Sequence, residues 1–375
     1  GGAPRPLDPH LMAAHVISSS IAAPRAGGLC RPRAVTSSAQ RGFAALPRRS
    51  AVLGLVTATV SSLAQPIGGG IGPLASHARA PIPCGGMAAA SRRGVACAAG
   101  ASDAADGSKD LLIVGAGVLG RFLAEQWLAE FPGARVVGQT NSDTSHSELK
   151  ALGIEPRTKD QAGPETFPYV VFCAPPSGSD DYPGEVAAAG RLWSGKGGFV
   201  FTSSSAVYKE DSGGVVVEGS ETFKLGDSDR SDRLLSVEAV VGEAGGTVVR
   251  LAGLYTATRG AHMYFLKVPE VKASPDGYLN LIHYEDAASL AMAAALRGER
   301  GGVYMGCDNH PVTRAGMMEA LLATGKYGPG PACAFLGPAT GGASGKRMDD
   351  TWTREALGWA PAYDSWDAFL AAYDP

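Results

Sequence analysis

A glycine-rich loop between a short apolar run and an amphipathic stretch constrains this chain more than any other feature. The run Leu111–Val114 is followed by Gly115-Ala116-Gly117-Val118-Leu119-Gly120, and the residues beyond have the apolar spacing of a helix. Three glycines between a buried strand and a helix are typical of a loop that binds the pyrophosphate of a dinucleotide. The free N–H groups of the helix N-terminus would face the phosphates. We therefore predict the following cofactor contacts: Gly115, Gly117, Val118, Leu119 and Gly120.

From Lys109 onward, apolar runs alternate with amphipathic stretches, which predicts an α/β fold with a parallel sheet. Together with the glycine loop, this order predicts a Rossmann doubly wound parallel sheet over residues 109–253. A small C-terminal substrate-binding subdomain, interleaved with the Rossmann core, is expected over residues 254–375. We assign to this subdomain the segment Tyr278–Ile282, a helix over 285–296, a strand over 303–305 and a helix over 313–323. Residues 325–346, rich in Gly, Pro and Ala, are expected to form a long loop.

The residues after the second predicted strand bear on which dinucleotide binds. About 20 residues beyond the glycine loop, an acidic residue would bind the ribose 2′-hydroxyl of NAD, whereas an Arg would accommodate the phosphate of NADP. The tip Thr140-Asn141-Ser142 contains neither, and Asp143 falls slightly late. We predict Thr140 and Asn141 as cofactor contacts. NAD and NADP both stay open, with a slight preference for NADP.

The charge of the chain is divided unevenly. Residues 1–100 contain ten Arg, no Lys and one acid, Asp8, which leaves 23 basic and 35 acidic residues in 101–375. The first segment is therefore near +9 and the body near −12. Because phosphate neutralisation needs a basic face, we expect no nucleic-acid partner. The six Cys show no pair at metal or redox spacing, so we predict no metal site and no disulfide framework.

Residues 1–108 have the composition of a targeting presequence, rich in Ala, Ser and Arg and nearly free of acids. The abundance of Ser and Ala favours a plastid transit peptide, and we expect the chloroplast stroma. Arg48-Arg49 before the weakly apolar run Ala51–Ala64 resembles a twin-arginine signal, which leaves the thylakoid lumen as an alternative. That run is shorter than the roughly 20 residues that span a bilayer, so no transmembrane helix is predicted.

Several later segments occur in a fixed order. They are Phe201–Tyr208 (FTSSSAVY), Val248–Tyr255 (VVRLAGLY), Leu281–Ala288 (LIHYEDAA), Gly302–Gly306 (GVYMG), and Lys346–Met348 with Leu357–Trp359. Taken together, the set resembles the extended short-chain dehydrogenase/reductases, the NAD-dependent epimerase/dehydratase-like group, from Leu111 to the C-terminus. The resemblance implies NAD or NADP as cofactor and a small-molecule substrate. It leaves the oligomeric state open.

The resemblance also implies roles for particular residues. In that family the Ser four residues before the Val-Tyr tyrosine helps to hold a substrate oxygen, and the matching residue is Ser204. Relatives line the cofactor with small residues after the fourth strand, where this chain has Ala174, Pro175 and Pro176. Ser203 is included among the expected cofactor contacts.

The chain departs from the family pattern at the catalytic pair. The family uses a Tyr with a Lys four residues later, because a nearby ammonium lowers the pKa of the phenol from about 10. Aligning the helix acid with Glu238 puts Arg230 at the Tyr position and Leu234 at the Lys position. None of the 11 Tyr in the chain has Lys at the fourth following residue. The usual dyad is therefore missing.

Other side chains are candidate substitutes for the dyad. Tyr208 could act as a phenolic acid, although this Tyr mostly packs in relatives. His262 could be an acid or base near pH 7, with a capping or exposed role as the alternative. His283 and Asp286 are expected to fix the junction between the two domains. Arg230 and Arg233 would suit an anionic substrate or cofactor phosphate, or form an ordinary solvated helix face.

These observations support two hypotheses. The first is an oxidoreductase or epimerase-like enzyme that uses Ser204 with a non-standard acid or base. The second is a non-catalytic dinucleotide-binding protein that acts as a redox sensor or as a regulatory or assembly partner. The missing dyad favours the second, and the retained substrate-domain pattern favours the first.

Overall fold

The computed structural model describes residues 108–328, 333–341 and 344–374. The predicted presequence, with Arg48 and Arg49, lies outside the described residues except for Ser108. In the described part the strands, in chain order, are β1 (Leu111–Val114), β2 (Val136–Thr140), β3 (Glu155–Thr158), β4 (Tyr169–Phe172), β5 (Phe199–Ser204), β6 (Ser212–Val216), β7 (Thr247–Leu251), β8 (Gly253–Tyr255), β9 (Glu270–Val271), β10 (Tyr278–Leu279), β11 (Leu281–His283), β12 (Val303–Gly306), β13 (Val312–Thr313), β14 (Ala334–Phe335) and β15 (Gly345–Met348).

The helices of the described part connect these strands. They are α1 (Val118–Glu130), α2 (His146–Ala151), α3 (Tyr182–Gly190), α4 (Asp229–Glu243), α5 (Ala261–Phe265), α6 (Tyr284–Arg297), α7 (Arg314–Ala323), α8 (Thr351–Leu357) and α9 (Trp366–Ala372), with a short 3-10 helix at Ser205–Val207. None of the helices in the described ranges is long and apolar enough to cross a membrane.

Seven strands form one parallel sheet in the order β12-β7-β5-β4-β1-β2-β3. The strand order reverses between β1 and β4, and this switch point is where open α/β sheets bind ligands beyond the carboxyl ends of their strands. The predicted Rossmann doubly wound fold is confirmed.

Helices cover both faces of the sheet. Gly120 of α1 lies against Ile113, whereas the ring of Tyr182 on α3 packs at 5.7 Å from that of Phe172. Phe172 is in register with Val114, so its side chain points to the face opposite to that of Ile113. The strands between them are fully buried, which explains their continuous apolar sequences.

Two strands of the sheet differ from the sequence prediction. The strand β3, Glu-Pro-Arg-Thr, was missed because it is an edge strand with little apolar character. The strand β12, which we assigned to the smaller subdomain, pairs with β7 at the other edge of the main sheet. The helix α6, assigned likewise, packs against α1 and the main sheet. Both contacts are long-range pairings that local periodicity does not encode.

A second group of buried apolar residues forms a core separate from that of the main sheet. Its buried members are Tyr255, Phe265, Leu281, Met317, Met318, Leu321, Cys333, Trp366, Phe369 and Leu370. The two-stranded pairs β8–β11, β10–β13 and β9–β14 contribute side chains to this core, whereas the pair β6–β15 packs on the core of the main sheet. The predicted loop over 325–346 therefore contains β14 and the start of β15 in its described part. The pair β6–β15 brings the C-terminal region to the end of β5.

Candidate functional site

Two glycines of the loop are required by close packing. Gly115 has a φ of +92°, and a Cβ there would lie 2.3 Å from the backbone nitrogen of Ala174. A Cβ on Gly120 would lie 2.9 Å from both Gly115 O and Ile113 Cγ2. Only glycine fits at these positions, which brings the turn close to the neighbouring strand and α1 close to the sheet.

Gly117 has the opposite environment. It is exposed, and a Cβ there would meet no atom closer than Gly115 O at 4.0 Å. Gly117 is also the N-cap of α1, and no side chain caps the helix and no acid occupies its first turn. Val118 is half-buried and the side chain of Leu119 is buried, so both would contribute backbone N–H groups. The open space and the uncapped N–H groups fit a pyrophosphate.

The loop after β4 is fixed against this turn. The thiol of Cys173 donates to Gly115 O at 3.2 Å, the nitrogen of Ala174 donates to Val114 O at 3.1 Å, and the hydroxyl of Tyr182 donates to Ala174 O at 2.7 Å. Pro175 is exposed, and Pro176 lines a cavity of ≈ 320 Å³. The other lining residues of this cavity come from the start of α3, from α4 and from the loop before α4: Ser179, Asp180, Tyr182, Pro183, Leu225, Asp232, Arg233 and Ser236. In the predicted wall, Ala174 thus contacts the glycine loop and Pro176 lines this cavity.

The predicted ribose contacts lie at the end of β2. The hydroxyl of Thr140 donates to Ser142 O at 2.7 Å and lies 2.9 Å from His146 Nε2. Asn141 and Asp143 are exposed beyond it. Thr140 therefore shapes the loop, and Asn141 is the side chain at the strand end that is open to a ligand.

Ser203 does not face the cofactor loop. Its hydroxyl is buried and donates to Glu238 Oε1 at 2.5 Å. Glu238 in turn holds Arg250 Nη2 at 2.7 Å, and both side chains of this ion pair are about nine-tenths buried. Ser203 therefore belongs to a buried polar network with Glu238 and Arg250, and its contact with the cofactor stays a prediction.

Tyr208 and His262 are both buried in packed surroundings. The hydroxyl of Tyr208 donates to Glu218 O at 3.2 Å, the guanidinium of Arg250 lies 5.0 Å from its ring centre, and burial raises its pKa. His262 is 1% exposed and lies 5.0 Å from the ring of Trp366 in the second core, where burial lowers its pKa to about 4. Neither side chain is exposed in this structure, and their catalytic roles stay predictions. The residues that enclose Tyr208 and His262, Arg250 and Trp366, are distant in the sequence. The local sequence pattern therefore gave no sign that these two side chains are buried.

Ser204, the third residue predicted to be catalytic, lies at the carboxyl end of the parallel sheet. It ends β5, is half-buried, and its Oγ accepts a hydrogen bond from Ala206 N at 3.2 Å as the N-cap of the short 3-10 helix. The helix α4 packs against this turn. Its residue Leu234, at the position of the family's Lys, is 7% exposed and lies in the core, whereas Arg230 is exposed on the first turn. The side chain at the position where the resemblance implies a Lys is thus part of the apolar core.

A lysine that the sequence analysis did not single out as functional lies at the same turn. Lys346 on β15 donates from Nζ to Tyr208 O at 2.7 Å and to Ser205 O at 3.4 Å. It is half-buried, and burial lowers its pKa. The contact spans 138 residues of sequence and depends on the pairing of β15 with β6, so no local signal indicated it.

His283 and Asp286 have the structural role expected of them. The carboxylate of Asp286 accepts hydrogen bonds from Ala362 N at 2.6 Å and Tyr363 N at 3.1 Å, and it is 1% exposed. The ring of His283 stacks on Phe369 at 5.3 Å. These contacts attach the C-terminal segment to α6. In the described part of the chain, no group of three or more His, Cys, Asp or Glu side chains is arranged to hold a metal ion.

Comparison with known proteins shows the fold. No protein-family model matches the chain, and no curated protein matches it in sequence. Among solved structures, a conserved protein of unknown function from Silicibacter pomeroyi is 24% identical, with a TM-score of 0.57 over 70% of this chain and 97% of its own. UDP-glucuronic acid 4-epimerase from Bacillus cereus, in complex with NAD, is 16% identical, with a TM-score of 0.57 over 70% and 95%. dTDP-glucose 4,6-dehydratase from Bacillus anthracis, also with NAD, is 13% identical, with a TM-score of 0.55 over 70% and 94%. The chain therefore has the fold of the NAD-dependent epimerases and dehydratases.

Proposed function

We propose that this chain is an NAD(P)-dependent oxidoreductase or isomerase that acts on a small substrate at the carboxyl edge of its sheet. The main observation behind the proposal is the open space at Gly117, next to the uncapped N-terminus of α1. No atom of the protein fills the space that a methyl group on Gly117 would occupy, so this space is open to a ligand. The N-terminus of α1 at this point has no side-chain cap. Structures of the same fold hold NAD, and one of them holds UDP-glucuronic acid as well.

Each part of the site then has a separate task. The backbone of the glycine loop would bind the pyrophosphate, and the loop at Ala174 would keep water from the nicotinamide side. The bound nicotinamide would supply or accept a hydride. Ser204 would hold the substrate oxygen, and the ammonium of Lys346 would stabilise negative charge beside it. We propose a slight preference for NADP over NAD, because Thr140-Asn141-Ser142 contains no carboxylate to repel a 2′-phosphate and the exposed Asp143 lies one residue beyond it.

A titration of the full chain tests the proposal. NADPH and NADH are each added while the nicotinamide fluorescence is followed, and we expect saturable binding, tighter for NADPH. A panel of nucleotide sugars, oxo acids and aldehydes is then screened for oxidation of the bound cofactor. If neither dinucleotide binds at millimolar concentration, the proposed function is wrong.

A non-catalytic dinucleotide sensor, or a regulatory or assembly protein, is the second candidate function. The buried Leu234 and the absence of an exposed phenol or imidazole among the candidates Tyr208 and His262 favour it. Both candidates predict cofactor binding. Turnover with any member of the panel would exclude the sensor, whereas tight binding without turnover across the panel would count against the enzyme.

We also propose that the protein works in the chloroplast stroma. The acid-poor, Ser- and Arg-rich composition of residues 1–108 supports this, and Arg48-Arg49 keeps the thylakoid lumen as the alternative. Residues 1–108 fused to a fluorescent protein should direct it to the stroma. Fluorescence confined to the cytosol would contradict a plastid location, and a change to the stroma on replacing both arginines would indicate the lumen.

A further inference from the structure

A cavity of ≈ 830 Å³ lies beside β12, the strand at one edge of the main sheet. Its walls are the segment that follows β6, the strands β7 and β12, and α8 with one residue before it. We call it the edge cavity. Its volume falls within the range of roughly 300 to 1,000 Å³ that is typical of ligand pockets. None of its lining residues is a proposed cofactor or substrate contact, so it is distinct from the proposed site at the glycine loop.

An exposed tryptophan lines the edge cavity. Trp352 is 52% exposed, although tryptophan is highly buried on average. Its ring stacks on that of Tyr304, with the ring centres 5.5 Å apart and the planes at 14°, and Tyr304 is itself buried. Val217, also in the lining, is 45% exposed, and Val215, two residues earlier, is 55% exposed. Exposed apolar surface that is held in place beside a cavity is typical of a binding surface.

The lining also contains three carboxylates, those of Glu218, Asp349 and Glu355. Glu218 accepts a hydrogen bond from the hydroxyl of Thr353, and Asp349 accepts one from the hydroxyl of Thr351, both at 2.6 Å. These donors are uncharged and leave the charges of the two carboxylates uncompensated. Glu355 is exposed, and its carboxylate has no hydrogen bond or ion pair with the described residues.

The one basic residue among the described lining residues does not offset these charges. Arg250 forms an ion pair of 2.7 Å with Glu238, and both side chains are about nine-tenths buried. The edge cavity therefore combines net negative charge with an exposed indole. A guanidinium group is the cation best suited to both, because it can lie flat on an aromatic ring and donate hydrogen bonds to carboxylates.

We propose that the edge cavity binds an arginine side chain of a partner protein, on a segment that has apolar residues beside the arginine. The guanidinium lies on the ring of Trp352 and pairs with Glu355, while the apolar neighbours cover Val217 and Val215. An acidic segment is repelled by the three carboxylates. A protein segment fits better than a small organic cation, because the exposed apolar surface continues past the lining to Val215.

Acrylamide quenching of tryptophan fluorescence in the full chain tests the proposal. Among the five Trp, Trp127, Trp359 and Trp366 are at most 7% exposed and Trp193 is half-buried, so the quenching reports mainly on Trp352. The probe is a blocked synthetic peptide, Ala-Leu-Arg-Leu-Ala, at millimolar concentration and constant ionic strength. The same peptide with citrulline, or with Glu, in place of Arg is the control. We expect only the Arg peptide to reduce the quenching.

Other outcomes overturn the proposal. If the Arg peptide leaves the quenching unchanged, or if the citrulline peptide is equally effective, the edge cavity does not recognise a guanidinium charge. If free arginine amide at the same concentration reduces the quenching as much as the peptide does, the occupant is a small cation. If the chain sediments as a dimer and Trp352→Ala abolishes the dimer, the surface binds a second copy of this chain.

Two variants and a matched control locate the binding. The affinity is measured by the fluorescence anisotropy of a dye-labelled Arg peptide. Glu355→Gln and Trp352→Ala each remove one exposed contact and should each weaken the affinity about two- to fivefold. Glu319→Gln, which changes an exposed acid on α7 outside the lining, should leave the affinity unchanged. Since all three side chains are exposed, the variants should fold and bind NADPH like the original protein. Equal peptide affinity in folded Glu355→Gln and Trp352→Ala overturns the proposal.

Discussion

Replacing Gly117 by Ala tests the cofactor loop without disturbing the fold. The added Cβ would have no neighbour nearer than 4.0 Å, and the backbone of Gly117, with φ of −83° and ψ of −150°, is extended and open to alanine. A Gly-to-Ala change at such a position alters the free energy of unfolding by less than about 1 kcal/mol, through the unfolded chain. The folded protein should therefore be as stable as the original.

The effect on cofactor binding should be large. A methyl group at Gly117 would occupy the space through which the phosphates approach the backbone N–H groups of α1. Loss of one hydrogen bond to a charged group costs roughly 1.5 to 3 kcal/mol. At 1.4 kcal/mol for each tenfold change, the dissociation constant for NADPH should rise roughly ten- to a hundredfold. Fluorescence titration and thermal unfolding of the same preparation measure both quantities.

Two further glycines provide matched controls. Gly133, in the connection from α1 to β2, is exposed and would also accept a Cβ with nothing within 4 Å, so Gly133→Ala should change neither stability nor affinity. Gly115→Ala should unfold the protein, because its Cβ would lie 2.3 Å from Ala174 N at a φ of +92°. The reasoning is refuted if folded Gly117→Ala binds NADPH as tightly as the original protein, since the pyrophosphate would then lie elsewhere.

Three other substitutions address the buried groups. Glu238→Ala should lower the free energy of unfolding by about 3 to 5 kcal/mol in urea, because Arg250 would stay buried without its carboxylate; a loss under 1 kcal/mol would mean that water reaches the guanidinium. Tyr208→Phe should cost about 1 kcal/mol for its bond to Glu218 O and leave cofactor binding and any turnover unchanged, whereas lost turnover would restore it as a catalytic residue. His262 is held neutral, with a pKa near 4 in the folded protein against 6.5 in the unfolded chain, so its contribution is lost as the pH falls from 6.5 towards 4. This pKa difference corresponds to about 3 kcal/mol of free energy of unfolding. In His262→Phe, the free energy of unfolding should therefore fall by about 3 kcal/mol less between pH 6.5 and 4 than in the original protein. An equal fall in both proteins would show that His262 is solvated.

The sequence predicts well whatever depends on neighbouring residues. The loop Gly115 to Gly120 was identified because its glycines, strand and helix are contiguous, and the structure gives a steric reason for Gly115 and Gly120 and open space at Gly117. The burial of a side chain, in contrast, depends on residues that are distant in the sequence. Tyr208 and His262 looked reactive because of their side-chain chemistry, but Arg250 and Trp366, which enclose them, are 42 and 104 residues away along the chain. Local patterns do not reveal such partners, so the burial of these two side chains could not be predicted from the sequence.

The lysine position implied by the resemblance and the position of Lys346 depend on different parts of the fold. The resemblance implies an ammonium on the helix that packs on the sheet, at a position fixed by the Rossmann core. Here that position is Leu234 in the core, and the ammonium at the end of β5 comes from β15, held through its pairing with β6. Its distance from Ser204 therefore depends on how the C-terminal region packs, including the contact of Asn280 Oδ1 with Met348 N at 2.7 Å. Asn280→Ala, which removes this contact, should therefore increase the rate at which Lys346 is acetylated, as measured by mass spectrometry, while NADPH binding at the glycine loop is retained. An unchanged acetylation rate would show that β15 is held in place without Asn280, and weaker NADPH binding would show that the two halves of the site do not act independently.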